Sequence, residues 1–378
     1  MRRAVVAGAL AQRPGRGGHA WALLQYVLGL RELGWDVLFV DRLDATMCDG
    51  AAPGESPQLR WVERVMRGFG LDGAWSVLHG GGAFGVSRER VVAFTRGADV
   101  LLNIMGYLDD EEVLGAAPLR VFLDIDPGFP QMWCELGLAD PFAGHDAFVT
   151  VGENVGAPSC TVPTCGLEWI STPPPVVLGE WDPAPVNGGP LSSVVSWRGP
   201  YAPVEYDGSS YGLRAHQFRR FADLPWRTGR DFELALDIDP ADAADEVALR
   251  AGGWRLVDPV SVAGDPWRYR DYIRRARAEL MVAKDMYVRS RCGWFSDRSA
   301  CYLASGRAVI AQDTGLVDLG DGVLRFADAD EAAAAVERLA ADPAGHGAAA
   351  RALAEERFAA ERVLPRLLDR LGVSGCVA

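Results

Sequence analysis

His19 is the first residue placed to do chemistry. It ends a Gly-rich loop, residues 12–19 (QRPGRGGH), and stands where an amphipathic helix begins. The free N–H groups and positive dipole end of a helix lower an imidazole's pKa and favour the neutral ring that accepts a proton. Such a base needs a carboxylate to fix its orientation. Asp124 and Asp126, in LDIDPGF, leave a predicted strand at its carboxyl end, and either can hold the ring. A second group of candidates lies in residues 283–316. There Ser296 or Asp297 caps a helix, Arg291 adds a charge just upstream, and Gly293 lets the backbone approach closely. A free helix start with these neighbours is a site for an anion such as a diphosphate. Gln312, Asp313 and Thr314 follow an apolar run at 308–311 (AVIA), at the strand edge where ligands of open α/β sheets sit.

The elements that carry these residues alternate between strands and helices. Strands are expected at 3–7, 36–40, 99–105, 120–124 and 147–151, with helices at 20–33 and 57–69. Regularity fades after Gly152. Pro173, Pro174 and Pro175, and the Asn-Gly-Gly-Pro tract from Asn187, mark a linker. Beyond it, strands are expected at 191–197, 232–237, 255–257, 279–283 and 308–311. Helices are expected at 211–221, 267–278, 296–305, 330–341, 346–358 and 361–371. Two βα-alternating halves read as an α/β protein with two Rossmann-like, doubly wound domains. The expected division is 1–175, a linker at 176–190, 191–358, and a C-terminal helical segment at 359–378.

The segment RCGWFSDRS resembles the donor site of nucleotide-sugar glycosyltransferases of the GT-B fold. One large branch has His-Cys-Gly-Trp-Asn-Ser there, with an acid three positions after the serine. Cys292, Gly293, Trp294 and Ser296 match in register, whereas Arg291 replaces the histidine and Ser299 the ribose-binding acid. A second branch flanks this loop with two glutamates, and Gly293 and Cys301 stand at those places. The resemblance implies that a sugar moves from a nucleoside diphosphate (UDP or TDP) to a small-molecule acceptor, with inversion and with His19 as base. It also implies a donor side formed by Arg198, Val257, Lys284, Arg291, Gly293, Ser296, Asp297, Ser299, Gln312 and Asp313. Gly17, Gly18, Glu153 and Asn154 fall on the acceptor side. A sugar-nucleotide epimerase and a non-catalytic sugar-nucleotide binder share the same pattern.

Composition narrows the partners. The 378 residues carry a formal charge of -13, which argues against a nucleic-acid groove or an anionic membrane surface. Lys284 is the only lysine among many arginines, a bias typical of a GC-rich, actinobacterial-type genome, which suggests a natural-product acceptor. Seven scattered cysteines without zinc spacing read as reduced thiols in a cytoplasm. The first residues mimic a signal peptide, but a buried strand and its loop account for them better. The two LDIDP copies, at 123–127 and 236–240, suggest paired carboxylates for a metal. Each ends a strand before proline, so no metal is expected, and the only co-substrate is the sugar nucleotide. The loop at 12–19 lacks the G-x-G-x-x-G spacing, although Asp41 stands where a dinucleotide's ribose-binding acid would be. A monomer or homodimer is expected.

Overall fold

The computed structural model describes residues 1–48, 50–183 and 188–373. Its first sheet contains β1 (Arg3–Ala7), β2 (Asp36–Arg42), β3 (Trp75–His79), β4 (Gly82–Gly85), β5 (Val100–Ile104), β6 (Arg120–Asp124), β7 (Ala147–Thr150) and β8 (Trp169–Ser171). Their order is β4-β3-β2-β1-β5-β6-β7-β8, parallel except for the β3–β4 hairpin. The second half holds β9 (Leu191–Ser196), β10 (Val204–Tyr206), β11 (Ser209–Tyr211), β12 (Phe232–Asp237), β13 (Arg255–Val257), β14 (Ala278–Met281), β15 (Val309–Gln312) and β16 (Val323–Phe326). Six of these form an all-parallel sheet ordered β13-β12-β9-β14-β15-β16. Each sheet therefore reverses direction beside its first strand, and a switch point of that kind opens a crevice at the carboxyl ends.

Buried parallel strands need apolar residues on both faces. β1 has four consecutive buried residues, and all five of β5 are buried. The first helix, Gly17–Glu32, is apolar nearly all round because both halves of the molecule cover it. Trp21 packs on Phe69 and Trp181, and its Nε1 donates to the Pro266 carbonyl of the second half at 2.8 Å.

The last helix, Ala360–Arg370, lies on the first helix. Gly29 permits this contact: a side chain there would stand 2.7 Å from Leu364 Cδ1 and 2.8 Å from Ala360 Cβ. The chain crosses between the halves twice, side by side, where Val176 bridges Ala359. Of the expected linker, residues 184–187, including Asn187, lie outside the described residues. Leu364→Ala, at a fully buried position, is expected to cost about 2–5 kcal/mol, read as a lower urea midpoint.

Several elements differ from the expected ones. The stretch expected as one helix over 211–221 is split. β10 and β11 form a hairpin ending at Tyr211, and only Arg214–Phe218 is α-helical. The turn is Asp207-Gly208, both at positive φ, a two-residue hairpin signal outweighed by the apolar spacing downstream. No element is expected between the strand at 279–283 and the helix at 296–305, yet Asp285–Ser290 is helical and ends at Arg291, which takes the left-handed conformation. The edge hairpin β3–β4 is also absent from the expected strands: β4, GAFG, is glycine-rich with no buried residue, while β3, WSVLH, has four buried residues.

Candidate active site

The carboxyl ends of both sheets line one cleft of about 460 Å³. The first half contributes the 15–19 loop, Met105 and Tyr107 beyond β5, and Ile125 and Asp126 beyond β6. The second half contributes Ser196, Tyr201, Arg214, Asp237, Lys284 and the Trp294–Arg298 turn, among others. Gly17 and Gly18 let the halves close. A Cβ on Gly17 would lie 2.3 Å from the Asp265 carbonyl oxygen, and one on Gly18 would lie 2.8 Å from the Tyr269 ring.

His19 lies in the first turn of its helix and faces this cleft. Removal from water, with Arg13 and Arg16 nearby, holds its pKa down to about 4, against the pull of its hydrogen bond to the Ala9 carbonyl. Nε2 meets that carbonyl oxygen at 3.1 Å. A carbonyl oxygen can only accept, so Nε2 carries the proton and Nδ1 keeps the lone pair.

The expected carboxylate behind the ring is not there. Asp124 is fully buried and accepts bonds from Gln131 Nε2, Thr150 Oγ1 and the Asp126 N–H. Asp126 lies on the cleft but is held from the opposite side, by the Lys284 ammonium and the Tyr287 hydroxyl. The backbone of the 9–11 turn thus does the orienting that was assigned to an aspartate. No sequence pattern reports a backbone acceptor of this kind.

Cations dominate the second-half wall. Lys284 is buried among the rings of Phe129, Tyr201 and Tyr287, each within 5.3 Å of its Nζ. Burial lowers its pKa, and Asp126 opposes that shift. Arg298 pairs with buried Glu279 at 2.5 Å, and one of its terminal nitrogens has no partner among the described residues. Arg214 is buried, and among the described residues its bonds run only to the carbonyls of Val282 (3.2 Å) and Ser196 (3.5 Å). Burial, with Arg298 beside it, lowers its pKa to about 10. The sequence reading passed over Arg214 and Arg298; a lone arginine after a DG hairpin and one inside a capped turn carry no motif of their own.

Ser296 caps the helix Asp297–Ala304, accepting from the Arg298 N–H at 3.2 Å, and both Ser296 and Asp297 line the cleft. Burial raises the Asp297 pKa, against the charge of Arg298.

Other expected site residues have structural partners. Arg198 points away and forms a fork with Asp242, at 2.6 and 2.7 Å. Ser299 is fully buried in the helix. Gln312 is buried between the Ala283 N–H and Gln217. Asp313 caps its own turn through the N–H groups of Gly315 and Leu316 and faces Arg291 at 3.5 Å. Glu153 binds Arg357. Asn154 clasps the halves, donating to the carbonyls of Arg291 (2.9 Å) and Gly315 (2.8 Å). Gly293 serves the same clasp, since a Cβ there would stand 2.9 Å from Asn154. None of these, nor Val257, is among the residues lining the cleft; Pro259 and Val260, just beyond Val257, are. Asp41 is buried and holds the first loop through the N–H of Ala11 and the amide of Gln12. It is therefore not open to a ribose.

Two doubly wound domains meeting carboxyl end to carboxyl end are the GT-B arrangement, and that is the fold of this chain. No protein-family model and no curated protein matches the sequence. Among solved structures, the chain is similar to an alpha-glucosyltransferase in complex with UDP and a 13-mer DNA (TM-score 0.58, 9% identity, 98% of this chain and 99% of that one). It is also similar to the N-terminal domain of Candida albicans trehalose-6-phosphate phosphatase (TM-score 0.55, 10% identity, 99% and 97%). At such identities the likeness is one of fold. Among the described residues, no helix is long and apolar enough to cross a membrane.

Proposed function

We propose that the protein transfers a sugar from a nucleoside diphosphate to a hydroxyl group of a small-molecule acceptor. The observation that carries this reading is Arg214, a buried guanidinium on the cleft that forms no ion pair among the described residues. A buried charge without a counter-ion is costly, so a site that keeps one is built for an anion. Arg298, Lys284 and the Ser296-capped helix start surround the same space. Together they match a diphosphate, and they stabilise the charge that develops on it as the glycosidic bond breaks. The UDP bound by the similarly folded glucosyltransferase is consistent with this.

His19 then takes the acceptor's proton on Nδ1 while the acceptor oxygen attacks the anomeric carbon from the face opposite the diphosphate, inverting it. Tyr107, Tyr201 and Met105 give the acceptor an aromatic and apolar bed. Asp297, close to this end of the cleft, is suited to the sugar's hydroxyls. A thermal-shift panel of UDP, TDP, GDP and NADH tests the donor class. Saturation by one nucleoside diphosphate at about a hundred times its Kd adds roughly 2.7 kcal/mol of stability. A shift with NADH alone would refute the reading.

A further inference from the structure

We infer that Asp237, at the carboxyl end of β12, binds the ribose hydroxyls of the nucleotide; this rests on the nucleoside diphosphate reading of the cleft. In dinucleotide-binding sheets of this same 3-2-1-4-5-6 order, an acid at the end of the second strand accepts from a ribose hydroxyl. β12 is the second strand of its sheet, hydrogen-bonded to the first, β9. Asp41 holds the equivalent place in the other sheet, but its carboxylate is buried and taken up by its own loop. Asp237 opens onto the cleft instead.

Two further observations favour it. Ser196 links Asp237 to the phosphate-binding cations: its Oγ donates to Asp237 Oδ2 at 3.5 Å and its carbonyl accepts from Arg214 at 3.5 Å. A ribose joined to a phosphate on Arg214 falls within reach of that carboxylate. The other carboxylates on the cleft are placed otherwise. Asp126 is held by Lys284 and Tyr287. Asp297 also lines a small cavity with Gln25 and Tyr26 of the first helix, toward the acceptor side. Ser299 and Cys301 are both buried and are not carboxylates.

Among the described residues, Asp237 has one charged partner, Arg16, across the cleft at 2.6 Å. Both side chains are well exposed, at 52% and 38%. An exposed pair of this kind is worth little and yields readily to a ligand.

The test is calorimetric titration of the full chain with UDP, GDP, ADP and CDP, then of the tightest binder's 2′,3′-dideoxy form, and of inorganic diphosphate. The wild-type protein is expected to lose about ten- to a hundredfold in affinity when the hydroxyls are removed, as for hydrogen bonds to a charged group. Asp237→Ala is expected to bind the ribo and dideoxy forms equally, at the weaker level, with inorganic diphosphate unaffected. An Asp237→Ala protein that still prefers the ribo form overturns the inference and leaves the donor reading intact. Equal loss of inorganic diphosphate binding also overturns it, because the carboxylate would then be shaping the phosphate site. If no nucleotide binds the wild-type protein at millimolar concentration, the reading of the cleft fails and the inference falls with it.

Discussion

Arg214→Met is expected to make the free protein more stable and to weaken nucleoside diphosphate binding on the order of a hundredfold or more, since truncating one partner of a buried charge pair costs about 2–5 kcal/mol. The two effects have one cause. Within the fold the guanidinium is buried beside Arg298, with only carbonyl oxygens for hydrogen-bond partners among the described residues. Its pKa in the fold is lowered to about 10 from 12.5. For a base with a depressed folded pKa, stability is regained only as pH rises through that range. At neutral pH the charge therefore costs the fold, and methionine, of similar length and apolar, removes that cost. The donor's phosphates turn the same charge into an asset, which methionine forfeits. Melting temperature and donor Kd, measured on one preparation, check this. A variant that is less stable and binds the donor normally would make Arg214 a structural residue.

His19→Ala is expected to lower kcat by about 10²–10⁴-fold, the usual contribution of a positioned general base, with donor affinity little changed. The pH dependence carries more information than the loss itself. With a pKa of about 4, the ring is neutral in the empty protein throughout the physiological range. The acid limb of kcat/KM, which reports the free enzyme, should thus lie near that value. Arg13 and Arg16 help to hold the pKa down. A bound diphosphate offsets their charge, so the acid limb of kcat should move to higher pH, toward the value of a more effective base. Stability follows the same group. The folded pKa is depressed from 6.5, so the contribution of the neutral ring is complete above that pH and is lost as pH falls through the folded value. The alanine variant should lose less stability over that window. Unchanged transfer by His19→Ala would remove the ring from the mechanism.

The sequence was most legible where the physics is local. Apolar runs such as RVFLD at β6 and FELALD at β12 could only be buried strands. Gly34 after the first helix and Ser296 before the donor-loop helix punctuate the chain by backbone geometry alone. From those signals came the alternation and the two halves, whereas the GT-B arrangement was implied by the resemblance of residues 291–299. His19 at a helix start and Ser296 at another were placed for the same reason. The partners of charged groups were a different matter, because they depend on which surfaces two domains bring together. Asp126 faces Lys284, 158 residues away, and not His19. Glu153 and Asn154 turned out to hold the halves together, and Arg198 to pair with Asp242. Arg214 became the strongest anion candidate only once the fold had buried it without an ion pair among the described residues. Sequence by itself determined the elements and the edge of each sheet at which a site must lie, since periodicity and capping act within a few residues. The tertiary structure alone decided which charges are paired and which stand ready for a ligand, because electrostatic pairing and desolvation act through space.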